Sequence, residues 1–134
     1  MMSLRPATMR DFDLLLGWRN DEETRCQSGN PKPVSRSVHR RWMMTHDDGL
    51  FVAELDGAPV GTIRLDRKTG EVHLTVSPEC RGHGHATEML NLIRKKARSL
   101  PAIWGRIKMD NVASKMAFFR AGFKITMIVM ERVP

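Results

Sequence analysis

The sequence contains no tyrosine, only two cysteines and no long apolar run. Without tyrosine, the chain has no phenol that could donate or accept a proton in a reaction. Cys26 and Cys80 lack the spacing of metal ligands, so we expect reduced thiols and no metal site. No segment is apolar over the length that a bilayer requires, and the first residues do not resemble a signal peptide. These absences predict a cytoplasmic protein with no membrane partner.

The size and charge of the chain narrow the possibilities further. A chain of 134 residues is long enough for one hydrophobic core, so we expect a single domain over residues 1–134. The net charge of +7 favours an anionic partner, such as nucleic acid, a phosphorylated cofactor or a nucleotide-linked substrate. Basic and aromatic residues do not alternate within any predicted strand, so we do not expect a nucleic-acid partner.

The spacing of apolar residues predicts an α/β layered domain. Thr8 and Asp11 have the pattern of a capping box, and Ser35 has that of a helix N-cap. Asp56 and Gly57 separate two apolar runs as in a β-hairpin. The predicted strands are residues 2–5, 50–55, 60–65, 71–77, 103–108 and 123–133, the last being one strand or a compressed hairpin. We therefore expect a mixed, mostly antiparallel sheet of about six strands, flanked by four helices.

A glycine-rich segment lies between an alternating strand and an amphipathic helix, and it reads Arg81-Gly82-His83-Gly84-His85-Ala86. Glycines allow several backbone N–H groups to turn inward, and the following helix adds its positive N-terminal end. Arg81 can add a positive charge. This segment is either a pyrophosphate site or a plain connection. It is not a Walker loop, because no Gly-Lys-Ser/Thr follows, and no βαβ repeat accompanies it.

Three segments resemble the GNAT superfamily of N-acetyltransferases. The run from Val76 to Leu90, which contains Arg-x-x-Gly-x-Ala, resembles motif A. The stretch 110–114, followed by Phe118 and residues 121–123, resembles motif B, and residues 4–8 resemble the usual GNAT start. The resemblance covers nearly the whole chain in the correct order. It implies a GNAT fold and the transfer of an acetyl group from acetyl-CoA to a primary amine by direct attack.

The resemblance also implies a set of residues that hold acetyl-CoA. The main chain of Leu74 and Val76 would pair with the pantetheine arm, and a backbone N–H there would stabilise the oxyanion. The other implied cofactor residues belong to the glycine-rich segment and to motif B: Arg81, Gly82, His83, Gly84, His85, Ala86, Thr87, Asn111, Ser114 and Phe118. Asn111 is also a candidate catalytic residue, although a helix N-cap is its alternative role.

The proton-transfer residues cannot be carried over from the superfamily. Many relatives have a tyrosine acid where this chain has Phe118, and some have a glutamate base where it has Arg106. His73 has a suitable pKa range for a base. However, Leu74 and Val76 lie on the face of the strand that contacts acetyl-CoA in the superfamily, and His73 lies on the opposite face. His73 is therefore either catalytic or structural. Water is the alternative base, and it would suit an amine of low basicity such as that of an aminosugar.

The N-terminal half resembles the GNAT subgroup that acetylates nucleotide-linked aminosugars, with the pseudaminic acid pathway enzyme as the nearest case. The resemblance rests on residues 18–21 and on the segment from Val34 to Trp42. It implies a UDP-aminosugar as acceptor, and acceptor contacts from Arg19, Asn20, His39 and Trp42. Core packing is the alternative role for the two tryptophans and the preferred one for Trp18.

Two other functions and one assembly state remain open from the sequence. The chain is alternatively a protein or peptide N-terminal acetyltransferase, or a non-catalytic GNAT module that binds CoA. Superfamily members usually finish with a two-stranded hairpin, but only Lys124 to Pro134 follow motif B here. Either this hairpin is collapsed or a neighbouring subunit completes the sheet, and on this basis we expect a homodimer.

Overall fold

The computed structural model describes residues 1–134. Its four strands are β1 (Met2–Pro6), β2 (Leu50–Leu55), β3 (Ala58–Leu65) and β4 (Val72–Val76). Its five α-helices are α1 (Phe12–Arg19), α2 (Glu22–Gln27), α3 (Arg36–Thr45), α4 (His85–Lys96) and α5 (Val112–Arg120). Short 3-10 turns precede α1 and follow β4. No helix has both the length and the apolar character that crossing a membrane demands.

The strands form one antiparallel sheet in the order β1-β2-β3-β4. The β2–β3 hairpin closes through Asp56 and Gly57, whose φ angles are 52° and 85°. Two consecutive left-handed residues form the turn that best fits the twist of a hairpin. The turn therefore fixes the register next to it, in which Leu55 pairs with Ala58, and an irregularity between Ala53 and Glu54 shifts the register further along the hairpin.

Helices cover both faces of this sheet. On one face, α4 and α5 pack against the sheet through a core that includes Ile63, Leu65, Met89, Leu90, Ile93 and Phe118. On the other face, α1 and α3 enclose a second core of Phe12, Leu15, Leu16, Trp18, Met43, Leu50 and Val52. Trp18 is buried in that second core, which confirms its packing role. The α/β layered class predicted from the sequence is confirmed.

The predicted helix boundaries are confirmed by their capping contacts. Thr8 and Asp11 form the predicted capping box, although the chain makes one 3-10 turn there before α1 begins. The side chain of Ser35 accepts a hydrogen bond from the N–H of Val38 at the start of α3. Gly122, with φ of 90°, follows the end of α5. These boundaries depend on local chemistry alone, which is why the sequence predicts them.

Two predicted strands are not formed, so the sheet has four strands rather than about six. Residues 103–108 make only an isolated parallel bridge, between Trp104 and Glu71. Residues 123–133 form no strand at all. Both segments have high β-propensity, but a strand is stable only when another strand pairs with it. The helix count also differs from the predicted four, because the polar helix α2 lacks the apolar periodicity on which the prediction depended.

Candidate active site

The outer edge of β4 is open over most of its length. Backbone hydrogen bonds from Ser77 to Val60 and from Asp66 to Glu71 show that the odd-numbered residues of β4 pair with β3. By the alternation of an antiparallel ladder, the N–H and C=O groups of Val72, Leu74 and Val76 point away from β3. Val72 donates to Trp104, but no strand covers the edge beyond it.

This open edge provides unpaired main-chain groups for an extended ligand. Leu74 and Val76 are the two residues whose backbone the resemblance assigns to the pantetheine arm, and their parity suits that role. Their side chains pack against the core that α4 and α5 share. We define this open edge, between β4 and residues 103–108, as the cleft; it combines polar main-chain groups with an apolar side.

The cleft leads directly into the glycine-rich segment and the N-terminus of α4. Gly82 and Gly84 have φ angles of 81° and 77°, which other residues seldom adopt. Gly84 is the N-cap of α4 and contributes no side-chain hydrogen bond. The N–H groups of His85, Ala86 and Thr87 in the first turn are thus left for another acceptor. A helix N-terminus of this kind attracts phosphate oxygens.

The two histidines of this segment pack on each other. The rings of His83 and His85 stack with their centroids 5.8 Å apart. The Nδ1 atom of His83 lies 3.2 Å from the carbonyl oxygen of Cys80. His85 has a buried Nδ1 with no hydrogen-bond partner. The stack and the Cys80 contact hold the ring of His83, which lies between the two glycines.

Arg81 has carboxylate partners within the protein. Its guanidinium donates to Asp21 at 2.7 Å, to Glu23 at 2.8 Å and to the hydroxyl of Thr24 at 3.0 Å. The hydrogen bond from Arg81 is the main cause that lowers the pKa of Asp21. The side chain that was expected to add charge to a pyrophosphate is thus bonded to α2, a helix that the sequence does not predict.

Motif B residues begin and line α5. Asn111 is the N-cap of α5, and its Oδ1 accepts from the N–H of Ser114 at 3.2 Å. Phe118 is buried, and its ring packs edge-on against Phe123. A Cβ atom placed on Gly105 would lie only 2.8 Å from two ring carbons of Phe118. The Phe118 ring therefore occupies the space that a side chain at position 105 would fill.

His73 lies on the opposite face of the sheet, beside charged residues. In the register of β3 and β4 it is directly opposite Arg64. Its Nε2 is 3.3 Å from the carboxylate of Glu71, which is also 3.5 Å from Nε of Arg106. His73 is thus on the face covered by α1 and α3, and α4 packs on the other face.

The surroundings of His73 favour its neutral form. Partial burial lowers its pKa below the usual value, and the charge of Arg64 lowers it further. Glu71 opposes this shift, while Arg106 adds to it. A neutral imidazole that donates from Nε2 to Glu71 keeps an unprotonated Nδ1, which can accept a proton. We assign this tautomer from the Glu71 contact.

The predicted acceptor residues Arg19 and Asn20 hold the loop between α2 and α3. Asn20 makes two hydrogen bonds with the backbone of Val34, at 2.7 and 2.9 Å. Arg19 donates from Nη2 to the carbonyl of Asn30 at 3.1 Å. The Nη1 atom of Arg19 is buried without a partner, and burial lowers the pKa of this side chain. Both residues therefore shape this loop.

His39 and Trp42 belong to a column of stacked rings along α3. The Trp42 ring stacks on His39 at 5.9 Å and on His46 at 4.8 Å between centroids. His39 is buried against Phe12, and its Nε2 has no hydrogen-bond partner. Burial is the main cause that lowers the pKa of His39. The guanidinium of Arg64 lies 5.7 Å from the centroid of the Trp42 ring. Because Arg64 is opposite His73 in the sheet, it lies between this column and His73.

The structure thus forms two groups from the predicted site residues. The cofactor candidates of β4 and the glycine-rich segment are continuous, and α5 packs on the same side. The acceptor candidates lie across the sheet, on the face of His73. The sequence gives no local signal for Arg64 or for the contacts of Asp21. The alternation of residues 71, 73 and 75 indicates only that Glu71 and His73 share a face of the strand. No group of three or more histidine, cysteine or acidic side chains is placed to hold a metal ion, and both cysteines are free.

Comparison with known proteins identifies the family of this fold. Residues 2–124 match the family described as "Acetyltransferase (GNAT) domain". The uncharacterized N-acetyltransferase MJ1207 of Methanocaldococcus jannaschii is 30% identical in an alignment of 99 residues, with a coverage of 63% of this chain and 43% of that protein. The chain therefore spans less than half the length of this curated relative.

Solved structures support the same fold. The Salmonella typhimurium protein yncA, described with its cofactor acetyl-CoA, has a TM-score of 0.77 at 20% identity, over 94% of this chain and 81% of that chain. Spermidine N-acetyltransferase from Vibrio cholerae, in complex with CoA and spermine, has a TM-score of 0.75 at 16% identity, over 90% and 79%. The GNAT fold predicted from the sequence is confirmed. On the strength of its family match, this chain belongs to the GNAT family of acetyltransferases.

Proposed function

We propose that this chain is an acetyl-CoA-dependent N-acetyltransferase that acetylates a primary amine by direct attack. The observation that carries the proposal is a continuous main-chain surface. It runs from the open edge of β4, through Gly82 and Gly84, to the uncapped N-terminus of α4. The edge suits the amide-containing pantetheine arm, and the helix N-terminus suits a pyrophosphate.

The residues present fit acetyl-CoA without a free cationic side chain in the loop. The N–H groups of His85, Ala86 and Thr87 would hold the pyrophosphate, while Arg81 stays with its carboxylate partners. The main chain of Leu74 and Val76 would hold the pantetheine arm, and one of their N–H groups would donate to the thioester oxygen. Asn111 and Ser114 would line the site from the start of α5.

His73 is the proposed base of the reaction. Bound acetyl-CoA would supply the acetyl thioester that an amine nitrogen attacks. The Nδ1 atom of His73 would take the proton from that nitrogen, while Glu71 fixes the ring through Nε2. Because the chain has no tyrosine and Phe118 stands at the usual acid position, solvent would protonate the departing thiolate.

Phe118→Tyr is expected to destabilise the protein without raising turnover. The ring already lies against Gly105, so an added hydroxyl overfills the core and costs about 1–3 kcal/mol. Denaturant midpoints and turnover with acetyl-CoA measure the two effects. Phe119→Tyr, at the half-exposed neighbouring position, is the matched control and should change neither. A faster Phe118→Tyr enzyme of unchanged stability would restore the tyrosine acid to the mechanism.

A nucleotide-linked aminosugar, such as a UDP-aminosugar, is the acceptor that we propose. Arg64 and Arg106 flank His73, so the acceptor face attracts a diphosphate and repels a polycation. The V. cholerae structure is named for spermidine and contains the polycation spermine, and these two arginines argue against such an acceptor here. An aminosugar amine is also less basic than a lysine amine, which suits a base whose own pKa is low.

Acetyl-CoA turnover with a panel of amines tests this proposal. The panel contains UDP-aminosugars, peptides with free N-termini and spermidine, and thiol release is the readout. Turnover with UDP-aminosugars alone supports the proposal, and turnover with peptides supports the protein N-terminal alternative. Tight acetyl-CoA binding without thiol release with any amine would indicate a non-catalytic CoA-binding module. This is the second candidate function, because Phe118 stands where many relatives have the tyrosine acid.

We also propose that two copies associate through the apolar C-terminal segment. The side chains of Ile125, Met127, Ile128, Val129 and Met130 are 67–89% exposed, which is unusual for a soluble surface. Residues 103–108 make only one bridge to the sheet, so this segment of a second copy can pair with their remaining backbone groups. Sedimentation should give a dimer mass, and Ile128→Lys should give a monomer. A monomeric wild-type mass would contradict the proposal.

A further inference from the structure

Helix α2 spans the two sides of the proposed cofactor cleft. Its first turn is bonded to Arg81, which begins the glycine-rich segment after β4. Near its other end, the carbonyl oxygen of Cys26 accepts a hydrogen bond from Lys108 at 2.8 Å. Lys108 belongs to residues 103–108. This segment makes one bridge beside β4, at Trp104, and the rest of the β4 edge stays unpaired. A six-residue helix is thus tied to both walls of the cleft.

The contact between Arg81 and α2 is strong and partly shielded. Three donor–acceptor pairs of 2.7–3.0 Å join the guanidinium to two carboxylates and one hydroxyl. The Arg81 and Asp21 side chains are 31% and 24% exposed, so water screens their pair only in part. Asp21 also caps α2 by accepting from the N–H of Thr24. Arg81 therefore fixes the residue at which the helix begins.

The same helix continues into the acceptor side of the molecule. Arg25 donates to the carbonyl oxygens of Asn20 and Pro31, at 3.0 and 3.1 Å. Asn20 in turn holds Val34 in the loop that leads to α3. A chain of direct hydrogen bonds thus runs from Arg81, through α2, to the loop between α2 and α3, which the predicted acceptor residues Arg19 and Asn20 hold.

We propose that Arg81 is a positioning residue that couples cofactor binding to the order of the loop between α2 and α3. The inference rests on the proposed function in one respect, namely that the backbone of residues 82–87 binds the pyrophosphate. A ligand on those N–H groups restrains the backbone that carries Arg81. Its guanidinium remains with Asp21 and Glu23, and so α2 and the loop beyond it become more ordered. The Arg81 side chain thus contacts α2, while the phosphates contact main-chain N–H groups.

Amide hydrogen exchange of α2, measured without ligand and with saturating CoA, tests the coupling. In the wild type, CoA should slow exchange of the amides of residues 24–27 by about 5-fold or more. In Arg81→Gln this slowing should be lost, because both ion pairs with α2 are gone, and in Asp21→Asn it should weaken, because only the pair with Glu23 remains. Asn is as good an N-cap as Asp, so Asp21→Asn removes the charge and keeps the cap.

Affinity for CoA separates this role from a direct phosphate contact. Both variants should bind CoA with a Kd within about 3-fold of the wild-type value. The double variant should lose no more of the CoA-dependent slowing than Arg81→Gln alone. Arg36→Gln, which breaks the exposed pair of Arg36 with Asp13, is the matched control and should retain the slowing. A loss of CoA affinity of more than about 10-fold in Arg81→Gln, with tighter binding in Asp21→Asn, would assign the guanidinium to the pyrophosphate and overturn the proposal.

The experiment also distinguishes failure of the coupling from failure of the proposed function. Wild-type protein that binds CoA while α2 exchange stays unchanged would reject the coupling and leave the acetyltransferase proposal intact. Wild-type protein that does not bind CoA at all would reject both. In that case, faster α2 exchange in ligand-free Arg81→Gln would still show that Arg81 supports the helix as a structural contact only.

Discussion

Gly84→Glu is expected to abolish CoA binding, with a loss of affinity of at least about 100-fold, or about 2.8 kcal/mol. Gly84 is the N-cap of α4, and a Cβ atom built there meets nothing within 4 Å. The glutamate side chain therefore enters open space beside the N-terminus of α4. There its carboxylate is attracted by the same N–H groups that would hold the pyrophosphate, and it repels the phosphates.

Gly57→Glu is the matched control for this prediction. Gly57 has a φ of 85°, close to the 77° of Gly84, and a Cβ atom there also meets nothing. Both substitutions strain a left-handed residue to a similar degree, but Gly57 lies in the β2–β3 turn. Titration calorimetry with CoA should show wild-type affinity for Gly57→Glu. Unchanged affinity in Gly84→Glu would mean that the pyrophosphate binds elsewhere.

His73→Gln is expected to lower kcat/KM by about 100-fold or more, because the proposed base is lost. Glutamine retains a polar side chain that can contact Glu71, so the fold should be preserved. His46→Gln is the control, since His46 stacks on Trp42 and has no place in the proposed proton transfer. If His73→Gln keeps kcat/KM within about 3-fold of the wild type, water is the base and the proposed role is wrong.

The pH dependence of the wild type gives a second measurement of the same role. His73 acts when neutral, and its folded-state pKa lies below the ordinary 6.5. The kcat/KM profile should therefore rise through that lower pKa and be flat at neutral pH, and His73→Gln should lose the acidic limb. Because Glu71 raises the pKa of His73, Glu71→Gln should move the limb to still lower pH.

The sequence predicts the elements whose causes are local. Thr8, Ser35 and Asn111 each cap the element expected of them, because a capping side chain needs only the next three residues. The Asp56-Gly57 turn is equally local. The glycine-rich segment is located correctly for the same reason, since positive φ angles at Gly82 and Gly84 depend on glycine itself.

The elements that the sequence does not predict depend on distant partners. Helix α2 is short and polar, and it is tied to Arg81 and Lys108, which are far away in the chain. An aspartate N-cap followed by Glu22 and Glu23 was the only local signal for it. Residues 103–108 and 123–133 have high local β-propensity, yet the first makes only the Trp104 bridge beside β4 and the second pairs with no strand, and neither outcome is encoded locally. The contacts around Glu71 likewise require the strand register.

The absence of a side-chain cap at the N-terminus of α4 also affects the stability of the folded protein. A serine, aspartate or asparagine cap contributes roughly a few tenths of a kcal/mol more than a glycine cap, and Gly84 forgoes that contribution. The phosphate that we assign to this position would act as the missing cap, but only while it is bound. By mass action, a ligand at 100 times its Kd adds about 2.7 kcal/mol to stability. The resistance of this protein to heat and proteolysis would then rise and fall with the CoA pool of the cell.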